Sequence, residues 1–236
     1  MINSKIKLAL LASTLSAAFL SGCSDDDDKI APIIEPEPLV VTYDVTVTNL
    51  TYSQPFSPLS VVLHNDGALW SIGEPASVAL EKLAESGDNS ELFALSNITV
   101  SAAGSGILMP GTSETVSISI EDTTESLLSL ATMLVNTNDG FTGLNSISLS
   151  DLMVGDSWSA MTGVYDAGTE ANSEMAGTIP GPADGGAGYE SARDDSDMVS
   201  MHRGIVSMDD GLMSSVLTHA HKFDQPTAKI TITRTE

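Results

Sequence analysis

The chain has 236 residues, of which 32 are acidic and nine are basic, so its formal net charge is −23 at pH 7. This charge excludes nucleic acid and anionic lipid headgroups as electrostatic partners, and it suits the binding of divalent cations. The single cysteine, Cys23, excludes an intramolecular disulfide, so the fold must rest on packing or on bound ions.

The first 22 residues predict a lipoprotein signal peptide. Lys5 and Lys7 give a positive start, an apolar stretch covers residues 8–20, and small residues come directly before Cys23. The apolar stretch is shorter than the about 20 residues that cross a bilayer. Residues 20–23 match a lipobox, in which the chain is cut before the cysteine and the thiol is acylated. We therefore predict a lipid anchor, such as palmitate, at Cys23.

Residues 23–39 predict an extended tether between the anchor and a folded domain. Four aspartates and three prolines fall in this segment, which has no hydrophobic periodicity. Ser24, rather than aspartate, follows the cysteine, which favours sorting to the outer membrane. Loss of Lys5 and Lys7 with the signal peptide would leave seven basic residues against 32 acidic ones, a formal charge of −25. Residues 40–236 are enough for one all-β domain.

Alternation of apolar and polar residues predicts a half-buried strand over residues 41–51, with Val41, Tyr43, Val45 and Val47 on the buried face. Five further strands are predicted at Leu59–His64, Thr115–Ile120, Leu127–Val135, Leu144–Leu149 and Ala228–Thr233. The run Leu127–Val135 is apolar throughout, which indicates a strand that is buried on both faces.

Helical spacing predicts one helix over Glu74–Glu85, with Pro75 in its first turn and Gly87 as its stop. Many short strands and one short helix indicate an all-β fold, an antiparallel β-sandwich.

The segment from Gly168 to Gly211 is rich in Gly, Pro, Asp and Ser and has no sustained period. A loop of this length in a compact domain is typical of a functional segment. The chain has no Gly-x-Ser-x-Gly motif and no phosphate-binding glycine loop, although a triad assembled in space remains open. Four histidines without cysteine partners favour structural or exposed roles over a zinc site.

Several segments together resemble the spondin domain, and the similarity extends from Tyr43 to Arg234. The segments that carry it are 56–59, His64, 73–77, 84–87, 131–141 and 165–170. The resemblance implies an antiparallel β-sandwich that binds one divalent metal ion, calcium. It also implies an extracellular function in matrix contact or adhesion, as in animal members. The ligands that it implies are Asp139, Asp166 and Glu170.

The chain departs from the animal pattern in three ways. It lacks the disulfide cysteines, Gly140 stands where animal members have tryptophan, and Glu170 replaces an aspartate. The residues alone leave two readings of the three acids open. Their neighbours are turn formers, with Gly140 able to adopt positive φ, so each acid could serve a simple turn. Loops at one end of a sandwich could instead bring carboxylates and carbonyls to one calcium ion.

A second group of acids is predicted to be a solvated loop surface: Asp194, Asp195, Asp197, Asp209 and Asp210. The sequence as a whole predicts a non-enzymatic, lipid-anchored envelope protein that binds calcium and contacts an extracellular protein or glycan. Two alternatives remain, an exported hydrolase with its active site in the 168–211 loop and a purely structural envelope protein.

Overall fold

Two antiparallel sheets make up most of the computed structural model, which describes residues 38–121 and 127–236. The predicted signal peptide, Cys23 and tether residues 23–37 lie outside the described residues. The strands are β1 Val40–Asn49, β2 Ser60–His64, β3 Ile98–Ala103, β4 Ser113–Glu121, β5 Leu127–Met133, β6 Gly140–Ser148, β7 Ser157–Thr162, β8 Val164–Asp166, β9 Ser200–Met201 and β10 Ala228–Arg234. The helices are α1 Val78–Ser86, α2 Ser90–Phe93 and two 3₁₀ turns, Met208–Asp210 and His219–His221.

The four-stranded sheet has the order β4-β1-β10-β7, and the six-stranded sheet has the order β3-β2-β5-β6-β8-β9. Every strand pairing is antiparallel. The predicted all-β antiparallel sandwich is confirmed.

Strand β1 has the predicted alternation. Its side chains from Val41 to Val47 on the predicted face are buried. Thr42 and Thr46 face outward, and their hydroxyls bond across to Ser119 and Thr115 of β4 at 2.9 and 2.7 Å. The buried face of β1 belongs to one core cluster with apolar side chains of β2, β5 and β10. Apolar residues from both sheets therefore close the space between them.

A second apolar cluster lies on the other face of the six-stranded sheet. Leu80 and Leu83 of α1 pack there with Val62, Ala131 and Phe141. Neighbouring residues of β5 point to the two clusters in turn, so the prediction that this strand is buried on both faces is confirmed.

Helix α1 begins later than predicted. The Ser77 hydroxyl accepts a hydrogen bond from the Leu80 N–H at 3.2 Å, so the helix begins after Ser77 and Pro75 lies before it. Gly87 ends the helix as predicted, with φ of +71° and its N–H bonded to the Leu83 carbonyl at 2.9 Å. The short helix α2 was not predicted.

The two ends of the sandwich differ. The tether end is where β1 begins at Val40, beside Glu121 at the end of β4. The site end is where β1 finishes at Asn49, and it carries the β5–β6 turn and most of the long loop after β8. No helix in the described ranges is long and apolar enough to cross a membrane.

Candidate functional site

The β5–β6 turn at the site end is held by hydrogen bonds from side chains to backbone groups. Gln54 bonds both backbone groups of Asn136, accepting from its N–H and donating to its carbonyl at 3.2 Å each. The Thr137 hydroxyl donates to the Leu134 carbonyl at 2.7 Å and accepts from the Gly140 N–H at 2.9 Å. The turn therefore places the next side chains, including Asp139, in a fixed and buried position.

Gly140 does not have a positive φ, so the conformation that the sequence allowed for it is not the one it adopts. A glycine is needed here because a side chain would not fit. A Cβ atom there would lie 2.6 Å from the Thr137 hydroxyl oxygen and 3.2 Å from the His202 ring. These two side chains leave no space for a larger residue at this position.

Asp139 is fully buried and only one of its oxygens is satisfied. Its Oδ2 accepts from the N–H groups of Thr169 and Glu170 at 2.8 and 3.2 Å, while Oδ1 has no partner among the described residues. These bonds join the β5–β6 turn to the loop after β8. The sequence elements that carry the first and the third predicted ligands are therefore in contact.

Asp166, at the end of β8, has both oxygens bonded. Oδ1 accepts from the Gly168 N–H at 2.8 Å, and Oδ2 accepts from the Asn172 amide at 2.6 Å. Gly168 has φ of +71°, and a Cβ atom there would lie 2.4 Å from the Met198 carbonyl oxygen. Asp166 therefore shapes the turn that brings Glu170 back towards Asp139, which is the turn role left open by the sequence.

Glu170 is half-buried beside Asn138. The Asn138 amide lies 3.4 Å from Glu170 Oε2, and the Asn138 Oδ1 atom has no partner in the described part of the chain. Both residues line a cavity of about 240 Å³ together with Asp194 and Glu190. Glu170 is thus the most exposed of the three predicted ligands, while Asp166 lines a second cavity of about 300 Å³.

Burial and mutual repulsion disfavour the charged forms of two of these acids. Burial, followed by the negative charge of Asp166, raises the pKa of Asp139 to about 7. Burial, followed by the charge of Glu85, raises the pKa of Glu170 to about 7. Burial and the charges of neighbouring carboxylates therefore both disfavour ionisation of Asp139 and Glu170.

The three predicted ligands lie in one region but do not form a closed ligand set. Among residues 38–121 and 127–236, no three histidine, cysteine, aspartate or glutamate side chains stand in an arrangement that could hold a metal ion. Metal binding by Asp139, Asp166 and Glu170 thus stays a prediction, which requires rotation of side chains.

Three residues around these acids were not singled out by the sequence as site residues. Glu85 and Asn138 each have a buried oxygen without a partner, and His202 has a buried Nε2 without one. The His202 Nδ1 accepts from the Gly204 N–H at 2.9 Å, so neutral His202 carries its proton on Nε2. Burial lowers the pKa of His202, against the opposing effect of Asp166.

The acids of the second group lie on the surface, as predicted, and several take part in local bonds. Asp197 pairs with Arg193, and Asp210 pairs with Lys222 at 2.5 Å. Asp194 accepts from the Ala171 N–H at 2.8 Å. His64, by contrast, is buried at the end of β2, where its Nε2 lies 2.9 Å from the Ser129 hydroxyl, which confirms its structural role.

The sequence matches the family model described as Spondin_N over residues 48–179, which is more than half of the chain. No curated protein sequence is significantly similar to it. The matched range contains β1 from Thr48 onward, the β5–β6 turn with Asp139, and the loop with Asp166 and Glu170. Spondin_N is not known as a family of enzymes. This chain belongs to the Spondin_N family.

Proposed function

We propose that this protein is a lipid-anchored envelope protein whose spondin domain binds one calcium ion through Asp139, Asp166 and Glu170 and makes adhesive or matrix contacts. The observation that carries the metal assignment is the free Oδ1 of Asp139. A fully buried carboxylate oxygen without a partner is costly, and a cation is the group that best offsets that cost.

The chemistry of the donors fits a hard cation. Carboxylates and the Asn138 amide supply oxygen atoms, and calcium prefers six to eight oxygen ligands at about 2.3–2.6 Å. Calcium would supply positive charge among acids that otherwise repel one another. Waters could reach the cation through the cavity beside Glu170.

The site and the point at which the chain enters the domain lie at opposite ends of β1. The tether would join the domain at Val40, whereas the site lies beyond Asn49, at the other end of β1. Ten residues of strand span about 30 Å. A chain that is anchored at Cys23 would therefore enter the domain at the end opposite the site, and the site end would be available to an extracellular protein or glycan.

Calcium-dependent thermal unfolding tests the metal site. We expect calcium to raise Tm relative to chelator, because a ligand that binds only the folded state stabilises it. Extracellular calcium modules bind at about 0.1–1 mM, so a titration to 10 mM covers the range. Asp139→Asn and Asp166→Asn should each remove most of the rise in Tm.

The matched control is Asp151→Asn, which removes the same charge from an exposed position at the tether end. It should leave the calcium response intact. An equal loss in this variant would show that calcium acts only by screening the acidic surface, and the proposed site would be rejected.

The anchor is tested by changing Cys23 to serine. The variant should remain unlipidated and should leave the detergent phase when cell membranes are partitioned in a phase-separating detergent. A variant that still enters the detergent phase would show that Cys23 is not the anchor.

A further inference from the structure

The cavity that Asp166 lines is polar, and a buried glutamate forms part of its wall. Its volume is about 300 Å³, and it is distinct from the cavity beside Glu170. The polar side chains that line it include Asp166, Asn172, Glu174, Asp195, Ser200 and Arg203. Glu174 is 3% exposed, so its carboxylate is almost completely removed from water. We call this space the Glu174 cavity.

Glu174 has one bonded and one unbonded carboxylate oxygen. Its Oε1 accepts from the Val206 N–H at 3.1 Å, and its main-chain carbonyl accepts from the Val216 N–H at 2.8 Å. Its Oε2 is buried and has no partner among the described residues. Its φ is +48°, a value that residues other than glycine rarely adopt and that is concentrated at ligand sites. A buried carboxylate oxygen without a donor is costly, so Glu174 requires an explanation.

No basic side chain of residues 38–121 and 127–236 pairs with Glu174. Lys82, Arg193 and Lys222 form ion pairs with other acids. Arg203 lines the same cavity, but it forms no ion pair with any acid in the described ranges. Burial raises the pKa of Glu174, so its charged form is disfavoured without a positive partner. Such a partner must come from another molecule.

The size and the charge of the Glu174 cavity indicate the class of ligand. Ligand pockets have volumes of about 300–1,000 Å³, so this cavity is at the lower end and suits one long side chain. Asp166, Glu174 and Asp195 place three acids around it against one base, Arg203. The whole chain has a formal net charge of −23, which attracts basic partners and repels acidic ones.

We infer that the Glu174 cavity binds the guanidinium or ammonium group of an arginine or lysine side chain of a protein partner, with Glu174 as the buried counter-ion. This inference rests on the part of the proposed function that gives the domain a protein partner, and it does not require calcium. Glu174 Oε2 is the acceptor for the partner's N–H group. Asp166 and Asp195 add negative charge at the walls of the same cavity.

Chemical-shift titration of the ¹⁵N-labelled full-length protein tests the inference, in chelator and at low ionic strength, where charges are least screened. The probe is N-acetyl-L-arginine amide, and its uncharged isostere is N-acetyl-L-citrulline amide. The arginine probe should shift the amide resonances of Gly204 and Val206, which line the cavity. The citrulline probe should bind at least about 10-fold more weakly, because it cannot form the charged hydrogen bond to Glu174.

Three variants assign the binding to this cavity. Glu174→Gln keeps the size of the side chain and removes its charge, so it should weaken binding of the arginine probe about 10-fold or more. Glu121→Gln is the matched control, because it removes the same charge from an exposed position at the tether end, and its affinity should stay within about twofold of the wild type. Arg203→Gln removes the cation from the cavity and should strengthen binding about twofold or more. Far-UV circular dichroism checks that each variant is folded. Should Glu174→Gln fail to fold, Arg203→Gln and the two probes decide.

The outcomes separate this inference from the calcium site. Equal affinity for the two probes would overturn the inference, as would an equal loss in Glu121→Gln, because general acidity would then suffice. Weaker binding in Arg203→Gln would overturn it in favour of an acidic group held by Arg203. No shift at Gly204 and Val206 up to about 50 mM probe would overturn it and leave the calcium site standing. A protein that binds the arginine probe but shows no rise in Tm with calcium would reject the calcium site and support this inference.

Discussion

The space between the two sheets and the interior of the site end are both buried, yet they are built differently. Between the sheets the buried side chains form one apolar cluster that includes Val45, Leu63 and Ile230. At the site end the buried groups include Asp139, Asn138 and Glu85, each with an oxygen that has no partner among the described residues. Apolar packing needs no directional partner, whereas buried polar groups do.

Because of this difference, the two regions should contribute differently to the stability of the protein. The apolar layer can stabilise the fold by itself, because its burial is favourable without any ligand. Burial of charged carboxylates at the site end lowers the stability of the folded protein, unless a cation or protons neutralise them. Mutations between the sheets should therefore change the stability under all conditions, and those at the site end should act through calcium or pH.

The largest expected effect is that of an acid between the sheets. Val45 is fully buried in β1, so Val45→Asp places an unpaired charge in the apolar layer and should lower the free energy of unfolding by more than about 4 kcal/mol. Thr46→Asp, on the outward face of the same strand, should cost only about 1 kcal/mol. Urea denaturation measures both variants, and equal losses would show that the two faces of β1 have been exchanged.

A smaller effect is expected where one ion pair joins α1 to the long loop. Arg193 bonds Glu81 and the Ala76 carbonyl, at 2.6 and 2.7 Å, so Arg193→Ala leaves Glu81 buried without a cation. Breaking a fully buried pair costs about 3–5 kcal/mol, and we expect about 2 kcal/mol here because the Arg193 side chain is 22% exposed.

The control for Arg193→Ala is Lys82→Ala, which removes the cation from a more exposed ion pair, that of Lys82 in α1 with Glu91 in α2. Its midpoint in urea should hardly change. A loss in Lys82→Ala that equals the loss in Arg193→Ala would show that burial of Glu81 is not what makes its pair important.

The sequence predicted the fold best where alternation was strong. β1 and β4 are regular because one face of each is apolar over several residues, from Val41 to Val47 in β1 and from Val116 to Ile120 in β4. β3 and β7 were not predicted; both alternate, but they are edge strands whose inner residues include alanine, so the apolar signal is weak. Helix α2 has only four residues, too few to show a helical period.

The site was only partly accessible to sequence reasoning. The resemblance pointed to Asp139, Asp166 and Glu170, and the structure places them in one region of the site end. Glu85 was missed because a glutamate in an amphipathic helix normally faces solvent. The N–H of Glu190, more than 100 positions later in the chain, bonds its carboxylate, and no local pattern predicts this contact.

The pH dependence of the metal-free protein should show the smallest effect and is specific to the site end. Asp139 and Glu170 have pKa values of about 7 when folded, against ordinary values of 3.8 and 4.5, so the folded state binds more protons than the unfolded state between about pH 4 and 7. When a chelator keeps the protein free of metal, its free energy of unfolding should therefore increase as pH falls from 8 through 7. This gain should be lost as pH rises again. Glu85, whose pKa is also raised by burial, adds to this trend.

Buried His202 opposes that trend, because burial lowers its pKa and the unfolded state then takes up protons more readily below about pH 6.5. Asp139→Asn separates the two contributions, since it keeps the histidine and removes one carboxyl. Tm in chelator should rise less between pH 8 and 6.5 in this variant than in the wild type. Calcium competes with protons for the same oxygens, so the rise in Tm that calcium causes should shrink over this interval in the wild type. Parallel pH curves for the wild type and Asp139→Asn would show that Asp139 does not titrate near neutrality, which would contradict its raised pKa.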